Sequence, residues 1–480
     1  MTPTVAPTLP PEIDPLVRAF LDAPGALADV LTRFGSPAHL VFPQVFTANL
    51  ARFRAVLDAR VSGYRICYAH KVNQSRAFVR EAERAGIAID VASPEELASA
   101  RGAGFDAARI EVTGPKGEGF LRDLVDTGVT VNVDNLWELR RVAELAGDST
   151  RVPVLVRLSG FPATPISRFG IPLSQADAAL DALAAQRDRI ALRGFAFHID
   201  SGETVERVRA VEACLALTER AYGLGLTPSV LDIGGGFRQV FTADGDAFDR
   251  YVLALREALL GRGEPMTWGG NTFGFHLEGG AVHGTPVFHK YANTVPATRM
   301  LDDLLGAGLA AHGGRSVAQV TAENLLDIWL EPGKALVDHA GITVARVEFV
   351  KDVGEGITLV NLDVSRDTVT PADQEVMVDP VLLPAARGDE QPVGVFLAGR
   401  LCLERDLVTN HKVWLPRRPV PGDVVVFPNT AAYHMDLSAA TASMHPRVPK
   451  LAVTQGPDGF QVCRDGDYEP AAAVAAYRGA

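Results

Sequence analysis

From about Thr47 to Val337 the chain repeats one unit: a short apolar run, a polar or glycine-containing turn, then a stretch rich in Ala, Leu, Glu and Arg. The apolar runs are Arg65–Tyr68, Ala88–Val91, Ile110–Thr113, Val129–Val133, Val154–Leu158, Leu192–His198 and Val230–Ile233. Segments such as Pro94–Ala103, Leu136–Ala146, Gln175–Ala185 and Val205–Tyr222 separate them with helical spacing. Repeated strand–helix units require a parallel sheet. At this length the expected form is an α/β fold, a closed (β/α)8 barrel of TIM type, with an open doubly wound sheet as the alternative.

The pattern changes near Val337. The runs Ile342–Val350, Thr358–Val364, Val393–Leu397, Asp423–Phe427 and Lys450–Thr454 are no longer separated by long helices, which predicts a mostly β C-terminal domain. The expected division is residues 1–45 as an N-terminal arm and a strand joining the β domain, 46–337 as the barrel, and 338–480 as the β domain. Residues 1–15, rich in Pro and Thr, read as a flexible arm; Leu16–Arg33 reads as a helix and Ala38–Phe42 as a strand. The Gly-, Trp- and His-rich stretch 241–299 reads as an elaborated connection near the active face. Its His276, His283 and His289 fit no common metal spacing, so no metal site is expected.

Composition narrows the function. The chain is 47% hydrophobic and 22% charged, and 46 basic against 58 acidic residues leave a net charge of −12. Without a Lys/Arg block, neither nucleic acid nor an anionic membrane is an expected partner. The four cysteines (Cys67, Cys214, Cys402, Cys463) form no CxxC pair. No signal-peptide pattern and no membrane-length apolar run is present, so the expected location is the cytoplasm.

Within Tyr68-Ala69-His70-Lys71-Val72-Asn73 a lysine ends a predicted strand, at the edge where barrels carry their chemistry. A lysine is nucleophilic only when deprotonated, and partial burial is expected to lower its pKa. Five other features bear on it. Leu231-Asp232-Ile233-Gly234-Gly235-Gly236-Phe237 is a strand running into three glycines, either a phosphate cradle or a tight turn. His198 ends an apolar strand before Ser201 and Gly202; Glu331 ends another, in Glu331-Pro332-Gly333-Lys334. Cys402 lies among charged residues in Arg400-Leu401-Cys402-Leu403-Glu404-Arg405-Asp406, and Tyr433 follows a strand in the second domain. Taken singly, each has a plain structural explanation.

Together and in this order they resemble the fold-type III pyridoxal-phosphate-dependent decarboxylases, the family of ornithine, diaminopimelate and bacterial arginine/lysine decarboxylases, with alanine racemase a more distant relative. The resemblance runs from Phe34-Gly35-Ser36-Pro37 to the Tyr433 loop. It implies pyridoxal 5'-phosphate as cofactor, with Lys71 as the Schiff-base lysine and Asp90 positioning it. It also implies that His198 stacks on the ring, Ser201 and Gly234, Gly235 and Gly236 hold the phosphate, and Glu331 pairs with the pyridine nitrogen. Arg157 and Ser167-Arg168-Phe169-Gly170 match further family positions, and Tyr433 completes the cofactor contacts. Cys402 is the implied acid that protonates the product. In the family the residues matching Cys402 and Asp406 reach the site from a partner subunit, which implies a homodimer. The implied reaction is loss of an amino acid's α-carboxylate. A racemase or epimerase, or a non-catalytic pyridoxal-phosphate-binding protein, is the alternative.

The sequence departs from the pattern at Lys334, where the family has arginine, and at Asp200, where it has glycine. Ala431 replaces a glycine. Leu403, with Glu404 next, stands where ornithine and diaminopimelate decarboxylases carry an acid, and the Arg-Pro-x-Leu-Tyr segment of the latter is absent. The substrate-facing positions Leu403, Glu404 and Asp406 therefore imply a branch acting on a different amino acid.

Overall fold

A computed structural model describes residues 6–147, 151–242, 244–369, 377–386, 391–438 and 441–471. Eight parallel strands form a closed barrel: β1 (Tyr64–Ala69), β2 (Ala88–Val91), β3 (Ile110–Val112), β4 (Thr130–Val133), β5 (Val152–Ser159), β6 (Ile190–Ala196), β7 (Val230–Asp232) and β8 (Asp327–Leu330). They pair in that order, and β8 closes on β1 with Ile328 opposite Tyr64. Every residue of β2, β3 and β4 is buried, because helices cover one side of each strand and the barrel interior the other. The connecting helices begin on side-chain caps. Ser93 accepts the Glu96 N–H and Asn135 the Glu138 N–H.

The β domain is built on the long strand Gly341–Asp352, which pairs with Ala38–Val41, Thr358–Leu362 and Val424–Phe427. Ala38–Val41 also runs parallel to Lys450–Gly456. Three further strands, Val381–Leu383, Val413–Leu415 and Gly459–Arg464, carried no usable sequence signal. Two are only three residues long, and the third exposes both faces in part.

Two expectations change. The predicted helix Leu16–Arg33 is two helices, Pro15–Asp22 and Ala26–Phe34, because Pro24 and Gly25 (φ 77°) turn the chain between them. The described part of the expected flexible arm is packed: Leu9 is fully buried and exchanges hydrogen bonds with Asp379. Residues 1–5 lie outside the described residues. Leu9 packs into a cluster with Phe241, Tyr251, Phe273, Phe288 and Tyr291, the core of the 241–299 elaboration. That segment contains a helix (Gly245–Leu259), a hairpin (Phe275–Glu278 with Ala281–Gly284) and a 3-10 turn (His289–Ala292). Among the described residues, no helix is long and apolar enough to cross a membrane.

Candidate active site

The residues singled out from the barrel segment gather at the C-terminal ends of its strands. Lys71 sits in a one-turn 3-10 helix directly after β1. Its Nζ lies 3.4 Å from Oδ2 of Asp90 on β2. Asp90 is buried, and its other oxygen accepts from Thr113 Oγ1 at 2.7 Å, which fixes the carboxylate. The expected lowering of the Lys71 pKa does not occur. Burial does pull it down, but the Asp90 and Glu331 carboxylates outweigh that and hold it above its ordinary value.

Two residues past β6, His198 accepts the Gly235 N–H on Nδ1 at 3.3 Å and lies 4.0 Å from Glu331. Burial, then the nearby Lys71 and Arg157 charges, keep its pKa well below the ordinary value. The imidazole is therefore neutral, with its proton on Nε2.

Glu331 follows β8 and is buried within a group that sequence reasoning missed. Oxygens of Glu111, Asp232 and Glu331 all lie within 4.8 Å of one another. Asn132 Nδ2 donates to Glu111 at 2.9 Å and to Glu331 at 3.5 Å. Burial and then mutual repulsion raise Glu111 and Glu331 well above the carboxylate range; burial chiefly raises Asp232, to about 6. The available signal was Glu111 itself, a charge inside the apolar run Ile110-Glu111-Val112.

The three glycines are required by close backbone approach. A Cβ on Gly234 would lie 2.1 Å from the Phe197 carbonyl, on Gly235 2.5 Å from that of Glu331, and on Gly236 2.1 Å from that of Ile199. Arg207, also missed, is buried beneath this crossing and donates to the carbonyls of Ile199 and Gly235. Nearby, Ser201 Oγ donates to Glu206 at 2.6 Å. Asp200 bonds Lys334 and lies 3.5 Å from Lys290. Tyr433 (φ 67°) donates its N–H to the Val72 carbonyl at 2.8 Å, which brings the β domain against the Lys71 turn.

Lys71, His198, Asp200 and Tyr433 line two adjoining cavities. One, of about 120 Å³, continues to Gly236, Arg238, Lys290, Glu331 and Lys334. The other, of about 610 Å³, is bounded by Arg157, Phe161, Ile166, Ser167, Arg168 and Phe169. The Arg157 and Arg168 guanidinium groups lie 4.8 and 4.2 Å from the Phe169 ring centre.

Cys402, Leu403 and Glu404 are exposed and line neither cavity of their own chain. Asp406 is buried and accepts the backbone N–H groups of Arg366 and Leu401, each at 2.7 Å, so its carboxylate shapes its own loop. His276 and His283 face each other across the exposed hairpin, with ring centres 5.5 Å apart.

This donor set suits pyridoxal phosphate. Glu111, Asp232 and Glu331 crowd three carboxyl groups at one end of the pocket, where burial and mutual repulsion disfavour their ionised forms. A cationic ring nitrogen beside Glu331 would favour its ionised form. Lys334 and Arg238 line the same cavity and are cations suited to a phosphate.

Comparison with known proteins agrees. Residues 46–266 match the family model described as pyridoxal-dependent decarboxylase, pyridoxal binding domain. The chain is 32% identical over 460 residues to the uncharacterized protein y4yA of Sinorhizobium fredii, covering 94% of this chain and 95% of that one. It is 24% identical over 465 residues to the diaminopimelate decarboxylase of Methanothermobacter thermautotrophicus, covering 93% of each. The solved diaminopimelate decarboxylase of M. jannaschii, in complex with L-lysine, superposes with a TM-score of 0.69 at 17% identity over 91% of each chain. The chain belongs to the fold-type III pyridoxal-phosphate-dependent decarboxylases, as a divergent member.

Proposed function

We propose that the protein removes the α-carboxylate of an amino acid, with Lys71 binding the cofactor aldehyde as a Schiff base. The observation that carries this reading is the convergence of Lys71, Asp90, His198, Glu331 and the glycine loop on one pocket. Bound there, pyridoxal phosphate supplies a protonated ring that draws off the electron pair left when the Cα–carboxylate bond breaks. Glu331 keeps that ring nitrogen protonated, and its repulsion from Asp232 and Glu111 falls when a cation arrives. His198, neutral and held by the Gly235 N–H, offers a flat face for stacking. Asp90 positions the Lys71 amine. Ser201, the Gly234–Gly236 loop, Lys334 and Tyr433 hold the phosphate, while Arg157 stands at the wall of the larger cavity.

Cys402 of the partner subunit delivers from Sγ the proton that replaces CO2 on the substrate carbon. Its exposure, outside both cavities of its own chain, supports a homodimer with shared sites. Glu331 favours this reaction over racemisation, because a carboxylate strengthens the ring as an electron sink. The larger cavity carries Phe161, Ile166 and Phe169 beside Arg157, and Leu403 stands where an amine-reading acid is usual. Both support a substrate other than ornithine or diaminopimelate.

The test is the absorbance of purified protein before and after borohydride, followed by CO2 release from a panel of L- and D-amino acids. The expected result is a borohydride-sensitive band lost in Lys71→Ala, with CO2 from one substrate. Exchange of the Cα hydrogen without CO2 would instead establish the racemase. No band after adding pyridoxal phosphate would refute the reading.

A further inference from the structure

Glu111 is an acid in the middle of β3, between the fully buried Ile110 and Val112. It is itself buried, and it meets Asp232 of β7 and Glu331 beyond β8, with oxygens of all three within 4.8 Å of one another. Its Oε1 accepts from Asn132 Nδ2 on β4 at 2.9 Å, and its Oε2 from the Cys67 thiol on β1 at 3.5 Å. Neither donor is charged. The charges that weigh on Glu111 are all carboxylates: Asp232, Glu331 and Asp90 of β2. The other two acids are better supplied. Arg157 acts on both Asp232 and Glu331, and Lys71 acts on Glu331 as well. Asp232 Oδ1 also accepts the Gly234 N–H at 2.7 Å.

A proton count follows from this geometry. Ionised carboxylates only accept hydrogen bonds, so the bond between Glu111 and Asp232 needs a proton on one of them. Like charges crowded into one buried site leave at least one group protonated. Asp232 and Glu331 have cations nearby to support a charge, and the groups that act on Glu111 include none. We propose that Glu111 is a positioning residue: it keeps its proton in the working enzyme, donates it in a hydrogen bond to Asp232, and leaves negative charge to Asp232 and Glu331. Two parts of the site depend on that bond. Asp232 holds the first glycine of the Gly234–Gly236 loop, and Asn132, bonded to Glu111, also donates to Glu331 at 3.5 Å. A neutral acid at position 111 orients both without adding a third negative charge. The consequence for the cofactor rests on the pairing of Glu331 with the ring nitrogen proposed above.

The experiment begins with the full chain free of cofactor. Infrared difference spectra at pH 8 compare wild type with Glu111→Gln, which keeps a donor and an acceptor but cannot ionise. The expected result is loss of one protonated carboxylic-acid C=O band that shifts in D2O. Loss from the carboxylate bands alone overturns the proposal. Thermal melts from pH 6 to 8 confirm that the variant folds and give a second measure. The midpoint difference between Glu111→Gln and wild type is expected to be the same at each pH, because nothing ionises at position 111; a difference that widens with pH overturns the proposal. Pyridoxal phosphate is then added and its binding read by absorbance. Glu111→Leu, which cannot donate, is expected to bind it about tenfold more weakly than Glu111→Gln, the loss of one hydrogen bond to a charged group. Equal weakening in the two variants refutes positioning through the hydrogen bond. A borohydride-sensitive band in wild type without the acid band refutes Glu111 alone. The acid band without any borohydride-sensitive band keeps the proton on Glu111 and refutes the reading of the site.

Discussion

Asp232 allows the electrostatics of the barrel floor to be tested without cofactor. Its carboxylate is fully buried, with Oδ1 accepting the Gly234 N–H at 2.7 Å and the Glu111 carboxyl close by. Burial raises its pKa from an ordinary 3.8 to about 6. The stability this group contributes is therefore fully present below about pH 4 and is lost as pH rises through 6. At about 1.36 kcal/mol per unit, the cost of ionising it in place is roughly 3 kcal/mol above pH 6. Asp232→Asn keeps the Oδ1 acceptor, cannot ionise, and offers an NH2 to the Glu111 and Glu331 oxygens nearby. The variant is expected to match wild type below pH 4 and to exceed it at pH 8 by up to about 3 kcal/mol. Unfolding entropy of about 2.1 cal/mol/K per residue converts that to a rise of roughly 3 °C in the thermal midpoint of a chain of this length. The assay is a series of melts of cofactor-free protein from pH 4 to 8. A midpoint difference that does not grow with pH, or a loss at pH 8, refutes the reasoning.

Three further outcomes follow from the same geometry. Because Asp90 and Glu331 keep Lys71 protonated, the rate at which cofactor-free protein captures pyridoxal phosphate is expected to rise about tenfold per pH unit from 7 to 9; stopped-flow absorbance reads it, and Asp90→Asn should raise the rate at pH 7. Mixing Lys71→Ala with Cys402→Ala subunits is expected to restore CO2 release that neither variant shows at full rate, since a mixed dimer with shared sites keeps one intact site; no recovery after subunit exchange excludes the shared site. Leu9→Ala, at a fully buried position, is expected to cost about 2–4 kcal/mol locally. It should appear as faster proteolysis within residues 241–299, with the rest of the barrel unaffected.

The barrel was legible because helix-covered strands leave long apolar runs: seven of its eight strands were bounded within a few residues, and the eighth was placed by its end at Glu331. The β domain was legible in outline only, since its short and half-buried strands carry little periodicity. At the site, Lys71, His198 and Glu331 were readable because each stands one or two residues beyond a strand end. Asp232 and Glu111 were not, because a strand sequence does not say which of its side chains meet inside a closed barrel. Arg207 looked like any charge in the first turn of a helix, yet it is buried, with its pKa drawn down to about 10 by desolvation. The direction of the Lys71 shift was misjudged for a related reason. Burial was foreseeable, but the carboxylates that outweigh it come from β2 and β8, far apart in sequence.

The departures at Asp200 and Lys334 show what separate positions conceal. Taken alone, a carboxylate beside a phosphate site is unfavourable, and a lysine in place of arginine loses a bidentate grip. In the structure the two compensate each other, because Asp200 accepts from Lys334. One cavity thus holds the crowded acid Glu331, the neutral His198 ring and the paired Lys334 and Asp200. Under the proposed function a ligand with a cationic ring and an anionic tail would turn the ring nitrogen toward Glu331. The two departures Asp200 and Lys334 thus belong to a single electrostatic arrangement.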